Sequence, residues 1–199
     1  MSGATRLHHR RWTVANCLTA FRLLVAAPSL VIFALAGWRD AFLWMLAASF
    51  FTDFADGTVA RLTGGTTRFG ARLDSWADGA AYCAIAVSLP LLFPRLVAEQ
   101  WPAMLAIIAS FVVPGVVGFA KFRRFTSYHT LLVKAAVGAT ALALMWALWG
   151  GPANLLRAAA LLAVAAAIEE LAITWLLKAP LSNVGSVIKV WREQRRSAA

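Results

Sequence analysis

Residues 41–93 read AFLWMLAASFFTDFADGTVARLTGGTTRFGARLDSWADGAAYCAIAVSLPLLF, and this stretch decides the fold of the chain. Two apolar runs of about twenty residues flank the turn signal Gly64-Gly65, and each is long enough to cross a bilayer as a helix. Each run also carries two aspartates on the side nearest the turn, where a lipid-facing carboxylate would be costly. The stretch therefore predicts two neighbouring membrane helices with a polar site between them.

The rest of the chain extends this pattern. Its 199 residues are 61% hydrophobic and 14% charged, whereas a soluble domain is about half apolar and about a quarter charged. We predict an all-α integral membrane bundle of six transmembrane helices within a single domain, 1–199, whose core is 16–177 and whose short ends are 1–15 and 178–199. The expected spans are roughly 16–36, 41–62, 69–93, 101–122, 131–149 and 154–177.

The distribution of basic residues predicts the orientation. The formal net charge is +10, which in a soluble protein would suggest a nucleic-acid partner. Here most of the basic residues lie at the two termini and in the links after the second and fourth spans, so the positive-inside rule puts all four on the cytoplasmic side. The charge thus indicates topology and attraction to anionic headgroups, and no nucleic-acid partner is expected.

The tail after Lys178 leaves two interpretations open. Leu181, Val184, Ile188 and Trp191 recur at helical spacing among basic residues. This pattern fits a helix lying in the membrane interface, and it fits a frayed basic tail equally well.

Four of the nine acidic residues lie in the second and third spans: Asp53, Asp56, Asp74 and Asp78. The members of the first pair are three residues apart and those of the second are four apart, so each pair occupies one helical face. At about 1.5 Å per residue, both pairs fall in the cytoplasmic third of the membrane and can face each other.

Carboxylates held this close repel one another unless a cation neutralises them. An all-oxygen ligand set suits Mg²⁺ or Mn²⁺ better than zinc, and four carboxylates are enough for two ions that clamp a phosphoryl group. Arg61 is a candidate phosphate contact, and Gly57, Ala60 and Gly70 leave room for a ligand. The alternatives are an ion-coupled transporter and a purely structural polar network. We disfavour the network because no basic residue is expected at that depth.

The spacing Asp53-x-x-Asp56-Gly57-x-x-Ala60-Arg61, then eight residues, then Gly70-x-x-x-Asp74-x-x-x-Asp78 resembles the signature of the CDP-alcohol phosphotransferase (CDP-alcohol phosphatidyltransferase) family. That family includes bacterial phosphatidylglycerophosphate and phosphatidylinositol-phosphate synthases. The pattern covers 26 residues, and Asn16-x-x-Thr19-x-x-Arg22 is similar to the family's first helix.

The resemblance implies transfer of a phosphatidyl group from CDP-diacylglycerol to the hydroxyl of a small polar alcohol, with release of CMP. It implies that Asp53, Asp56 and Asp74 bind metal and diphosphate, and that Asp78 binds metal or acts as the catalytic base. It also implies a homodimer in a bacterial-type inner membrane. The positions expected to bind CDP or phosphate are Gly57, Ala60, Arg61, Gly70, Asn16 and Thr19.

The acceptor alcohol stays open in the sequence. Lys121, Arg123, Arg124 and Lys134 fit either a pocket for a phosphorylated acceptor, glycerol 3-phosphate before inositol phosphate, or ordinary positive-inside charge. Glu169 and Glu170 in the sixth span fit either the ammonium group of serine or choline, or ion pairs with Arg22 or Lys134. His129 reads as a solvated loop residue.

Overall fold

The computed structural model describes residues 13–63, 68–123 and 130–177, and these ranges contain helices and no strand. The helical content of these ranges confirms the all-α prediction. The first helix begins as α1, continues without a break through a π-helical segment and ends as α2. The elements are α1 (Val14–Phe21), the π segment (Arg22–Ala26), α2 (Ala27–Leu35), α3 (Arg39–Thr63), α4 (Arg68–Leu92), α5 (Pro94–Phe122), α6 (Leu131–Leu148) and α7 (Asn154–Leu176).

Five helices in the described ranges are long and apolar enough to cross a membrane. They correspond to all of the predicted spans except the second. Helix α3 is not among them; its 25 residues measure about 37 Å, which exceeds the hydrocarbon thickness, but they include Asp53 and Asp56. A sixth crossing therefore stays a prediction. The five candidates are Val14–Leu35, Arg72–Leu92, Pro94–Phe122, Leu131–Leu148 and Asn154–Leu176.

The helix boundaries follow local chemistry. Gly37 after α2 and Gly150 after α6 have φ values of +72° and +91°, a conformation that glycine adopts without steric cost. Thr130 caps α6, since its hydroxyl oxygen accepts a hydrogen bond from the Val133 N–H at 3.2 Å. Helix α5 begins at Pro94, seven residues before the predicted start at 101, because proline suits the first turn of a helix.

The chain divides into two compact units, 1–95 and 96–199. In the first unit, α1, the π segment and α2 pack against α3 and α4. Leu30, Phe42 and Leu46 are fully buried there, and the Ser88 hydroxyl donates to the Leu30 carbonyl at 3.3 Å. In the second unit α6 packs against α7 through buried alanines, small residues that allow close approach of membrane helices. The prediction of a single domain is not tested by this division.

Candidate metal centre

The π segment sets the position of Arg22. The Ala27 N–H donates to the Arg22 carbonyl five residues back, which makes this turn wider than an α-turn. Pro28 follows directly, and its ring clashes with the carbonyl four residues earlier, that of Leu24, so a regular α-turn is disfavoured here. Such π-turns occur frequently at functional sites. In this chain the wide turn begins at the one charged residue of the helix.

The guanidinium of Arg22 contacts three carboxylates on two other helices. Its Nη1 donates to Asp53 Oδ1, and its Nη2 donates to Oδ1 of Asp74 and to Oδ1 of Asp78, both at 2.8 Å. The expectation that no basic residue lies at the depth of the acids is therefore wrong. The spacing within the two acidic spans gives no sign of it, because the arginine comes from a third helix.

Asp53, Asp74 and Asp78 form a compact triad, which we call the acid triad. One oxygen of each carboxylate lies within 4.8 Å of one from each of the others. Their side chains are 42–48% exposed, whereas that of Arg22 is 2% exposed. The carboxylates thus border open space, and the arginine lies behind them.

The acid triad fits a divalent cation. Mg²⁺ binds oxygen at about 2.0–2.1 Å, so two ligands of one ion lie up to about 4.2 Å apart. The 4.8 Å limit of the triad is about 0.6 Å above this value, so the three carboxylates lie near the spacing of ligands around one ion. Carboxylate oxygens are also the ligand type that Mg²⁺ and Mn²⁺ prefer.

For the other predicted site residues on α3, the structure describes only the backbone. Asp56, Gly57, Ala60 and Arg61 fall within the bounds of α3, but their side chains lie outside the described residues. Asp56 is three residues from Asp53 and so shares its helical face. A fourth carboxylate ligand therefore stays a prediction.

Two polar residues of α1 accompany Arg22 on one side of the helix. Asn16 and Thr19 are each 4% exposed and precede the arginine by six and three residues. The Thr19 hydroxyl donates to the Ala15 carbonyl at 3.0 Å, which leaves its oxygen lone pairs as acceptors. Gly70 lies one turn before Asp74 on α4, as the signature requires. The contribution of these positions to donor binding stays a prediction.

Residues 12–176 match the CDP-alcohol phosphatidyltransferase family. The chain belongs to this family. The match covers most of its length, and it bears out the resemblance found in the aspartate spacing.

Several relatives are enzymes of phospholipid synthesis. The CDP-diacylglycerol–glycerol-3-phosphate 3-phosphatidyltransferase of Cereibacter sphaeroides is 44% identical over 75 residues, which cover 35% of this chain and 33% of that protein. The enzyme of the same name from Wigglesworthia glossinidia brevipalpis is 40% identical over 72 residues, 34% of this chain and 38% of its own.

A relative with a different acceptor in its name matches to a similar degree. The CDP-diacylglycerol–serine O-phosphatidyltransferase of Helicobacter pylori strain J99 is 38% identical over 85 residues, 42% of this chain and 35% of that protein. The aligned regions thus cover between 33% and 38% of the length of these relatives. No solved structure matches the chain significantly.

In this chain, the basic residues predicted to bind the acceptor differ in their contacts and exposure. Lys121 Nζ donates to the carbonyls of Thr174 and Trp175 at 2.7 and 3.1 Å, and so it caps the C-terminal end of α7. Lys134 is exposed in the first turns of α6, and Arg123 is exposed just after α5. Arg124 and His129 lie outside the described residues.

Sequence reasoning considered Arg22 as an ion-pair partner of Glu169 or Glu170 and gave it no role in the metal site. The signal was present, since a lone charge inside an apolar span marks a functional position by default. The arginine also closes the Asn16-x-x-Thr19-x-x-Arg22 pattern. What the pattern could not give was the identity of its partners, which come from spans two and three.

Proposed function

We propose that this protein transfers a phosphatidyl group from CDP-diacylglycerol to the hydroxyl of a small polar alcohol and releases CMP. The convergence of Asp53, Asp74 and Asp78 within 4.8 Å, inside a membrane-helix unit of this family, carries the proposal. The names of the relatives support the donor, because each one contains CDP-diacylglycerol.

The acid triad and Asp56 bind Mg²⁺ or Mn²⁺, and we propose two ions. Bound there, the metal neutralises charge on the diphosphate of the donor and on the departing CMP. Gly57, Ala60 and Gly70 leave space for the cytidine, and Arg61 contacts phosphate. Asn16 and Thr19 add polar atoms from α1.

Asp78 is the catalytic base of the reaction. An alcohol is a weak nucleophile, so a carboxylate that accepts its proton lowers the barrier. The acceptor oxygen then forms a bond to the phosphatidyl phosphorus while the bond from that phosphorus to the CMP oxygen breaks. Asp78 lies one turn farther from the α3–α4 link than Asp74, which leaves it beside the acceptor when the diphosphate is near Asp74.

The acceptor is a phosphorylated alcohol, glycerol 3-phosphate first and an inositol phosphate second. Lys134, Arg123 and Arg124 supply positive charge for its phosphate. An amino-alcohol such as serine or choline is the alternative, since one relative is named for serine and Glu169 and Glu170 could face an ammonium group. The protein acts as a homodimer in a bacterial-type inner membrane, with six spans and both termini in the cytoplasm.

The test is a transfer assay with radiolabelled CDP-diacylglycerol, purified protein and a panel of acceptors, with products identified by mass spectrometry. We expect a phosphatidyl product with glycerol 3-phosphate that requires Mg²⁺ or Mn²⁺ and appears together with CMP. Product with serine alone would overturn the acceptor assignment. Absence of product with every acceptor, together with absence of thermal protection by CMP and metal, would overturn the function and favour an ion-coupled transporter.

A further inference from the structure

We propose that Arg22 is a positioning residue of the metal centre: its guanidinium holds the acid triad in the geometry that a divalent cation requires. The inference rests on the proposed function and deepens it. It assigns the assembly of the site to the first membrane helix, which lies outside the aspartate signature.

The contacts of Arg22 join carboxylates of two helices to one side chain of a third helix. Asp53 belongs to α3, whereas Asp74 and Asp78 belong to α4. Two nitrogens of one side chain contact all three carboxylates, and both contacts of Nη2 measure 2.8 Å. Rotation or sliding of either helix would break at least one of these charge-assisted hydrogen bonds.

The contacts with Arg22 still allow the three aspartates to bind a metal. Each carboxylate has two oxygens, and the contacts to Arg22 use Oδ1 of each aspartate. A carboxylate can accept from an arginine and still give its other oxygen to a cation, an arrangement in which the outer partner orients the metal ligand. The ionised triad and the guanidinium together carry a net charge of minus two, which one divalent cation neutralises.

Arginine is the residue type that this position requires. Its guanidinium is planar, always charged and able to donate from two separated nitrogens, whereas lysine donates from a single nitrogen. The side chain is 2% exposed, so its own charge must be matched by the aspartates. The wide π-turn that starts at Arg22 fixes its backbone, and the following Pro28 favours that turn.

The experiment measures Mn²⁺ affinity of the purified full-length protein by the loss of the free-ion electron paramagnetic resonance signal. The variants are R22K and R22Q. R22K keeps the positive charge but loses the planar group with two separated donor nitrogens, and R22Q loses both the charge and that group. The same two substitutions at Arg157 are the control, because its Nε donates to Gln100 Oε1 at 2.9 Å, a contact between α7 and α5 within the second unit.

A positioning role predicts that both Arg22 variants bind Mn²⁺ about 10- to 100-fold more weakly, as is typical when the partner of a metal ligand is lost. A role as mere neighbouring charge predicts the opposite sign for R22Q, because removal of a positive charge near the acids tightens cation binding. The Arg157 variants should bind as the unchanged protein does, even if their melting temperatures fall.

Unchanged or tighter Mn²⁺ binding in R22K would overturn the inference, and so would unchanged or tighter binding in R22Q. If R22Q does not fold, R22K alone decides, since it retains the buried charge. An unchanged protein that binds no Mn²⁺ would also overturn it. The proposed function fails separately: Mn²⁺ binding that depends on Arg22, without transfer to any acceptor, would leave the positioning role standing and reject the reaction.

Discussion

A carboxylate at the centre of a membrane helix costs about 2.5–3.5 kcal/mol on insertion scales, which is an upper bound for Asp53 and Asp78. Arg22 offsets part of this cost, because its ion pairs match three negative charges with one buried positive charge. Among these four groups the negative charges outnumber the positive one, and the acids are 42–48% exposed. A purely structural network would be expected to neutralise its members, so the excess negative charge favours a cation site.

Loss of the carboxylate of Asp53 or Asp74 should abolish turnover. In D53N or D74N an anionic ligand becomes a neutral amide, which weakens the hold on metal and diphosphate. We expect transfer activity near background, with normal insertion because asparagine is less costly in lipid. The assay is product formation from CDP-diacylglycerol at saturating acceptor.

The control for this pair is D40N. Asp40 lies in the first turn of α3, at the end opposite the triad, so its loss should leave activity unchanged. Near-normal turnover in either D53N or D74N would contradict the metal assignment.

Substitution of the proposed base separates two roles. In D78N the amide oxygen can still accept from Arg22 Nη2, so the local geometry should persist. The amide cannot accept a proton, and loss of a general base typically costs about 10²–10⁴-fold in rate. We expect kcat to fall by that order while CMP still binds with metal, as measured by isothermal titration.

Two other results would change this assignment. Simultaneous loss of turnover and metal-dependent CMP binding would make Asp78 chiefly a metal ligand. A nearly unchanged kcat would mean that another group takes the proton or that none is needed.

Two lysines of the second unit should behave differently. If Lys134 binds the acceptor phosphate, K134A should raise the acceptor KM about ten- to a hundredfold, as expected for the loss of a charge-assisted contact worth about 1.5–3 kcal/mol. The KM for the donor lipid should hardly change. Steady-state kinetics with both substrates varied is the measurement.

K121A is the matched control. Lys121 caps α7 through the carbonyls of Thr174 and Trp175, so its loss should lower the melting temperature and leave the acceptor KM unchanged. Equal effects of both substitutions on the acceptor KM would show that these lysines act through their general positive charge and not through a specific contact with the acceptor phosphate. An unchanged KM in K134A would remove that residue from the acceptor pocket.

Much of the site was predictable at the residue scale. The spacing within the pairs Asp53/Asp56 and Asp74/Asp78 predicts that each pair lies on one face of its helix. Helical periodicity relates residues within one helix. It carries no information on which residue of a third helix lies opposite, and for this reason the contacts of Arg22 were missed. The same limit applies to Lys121, whose role as a helix cap depends on the neighbouring α7.

At the scale of elements, the turns were easier to predict from the sequence than the start of α5 or the π segment. The breaks predicted between 36 and 41 and between 149 and 154 contain Gly37 and Gly150, where the structure has left-handed backbone. The start of α5 was missed because residues 94–100 are polar enough to suggest a loop. Helix formation needs no apolar side chains, and buried Gln100 in this stretch is paired with Arg157. The apolar residues of the π segment do not distinguish a π-turn from an α-turn.

Two glycines of the second unit should respond oppositely to alanine. G150A forces a side chain into the left-handed region, which costs about 1–2 kcal/mol. G138A lies within α6 with open space around the added methyl group, and alanine in a helix gains roughly 0.5–1 kcal/mol over glycine. Thermal unfolding in detergent should show a lower midpoint for G150A and an unchanged or higher one for G138A. A stabilised G150A would contradict the turn geometry.

At the scale of the whole molecule, the crossing by α3 decides the topology. Five spans leave the two termini on opposite sides of the membrane, and six return them to the same side. Arg22 lies 13 residues before the end of α2, and Asp53 lies 14 residues after the start of α3. These distances correspond to about 20 and 21 Å of helix.

Because Arg22 contacts Asp53, α3 returns through the same thickness that α1 and α2 traverse. If the first helix crosses the membrane, we expect α3 to cross it in the opposite direction, and if the four other candidate helices cross as well, we predict six spans with both termini on the basic, cytoplasmic side. Fusions of alkaline phosphatase and of a fluorescent protein to each terminus test this. We expect fluorescence and no phosphatase activity at both ends. Phosphatase activity at one end only would mean that one helix fails to cross, and α3 would be the first to examine because it carries the acids.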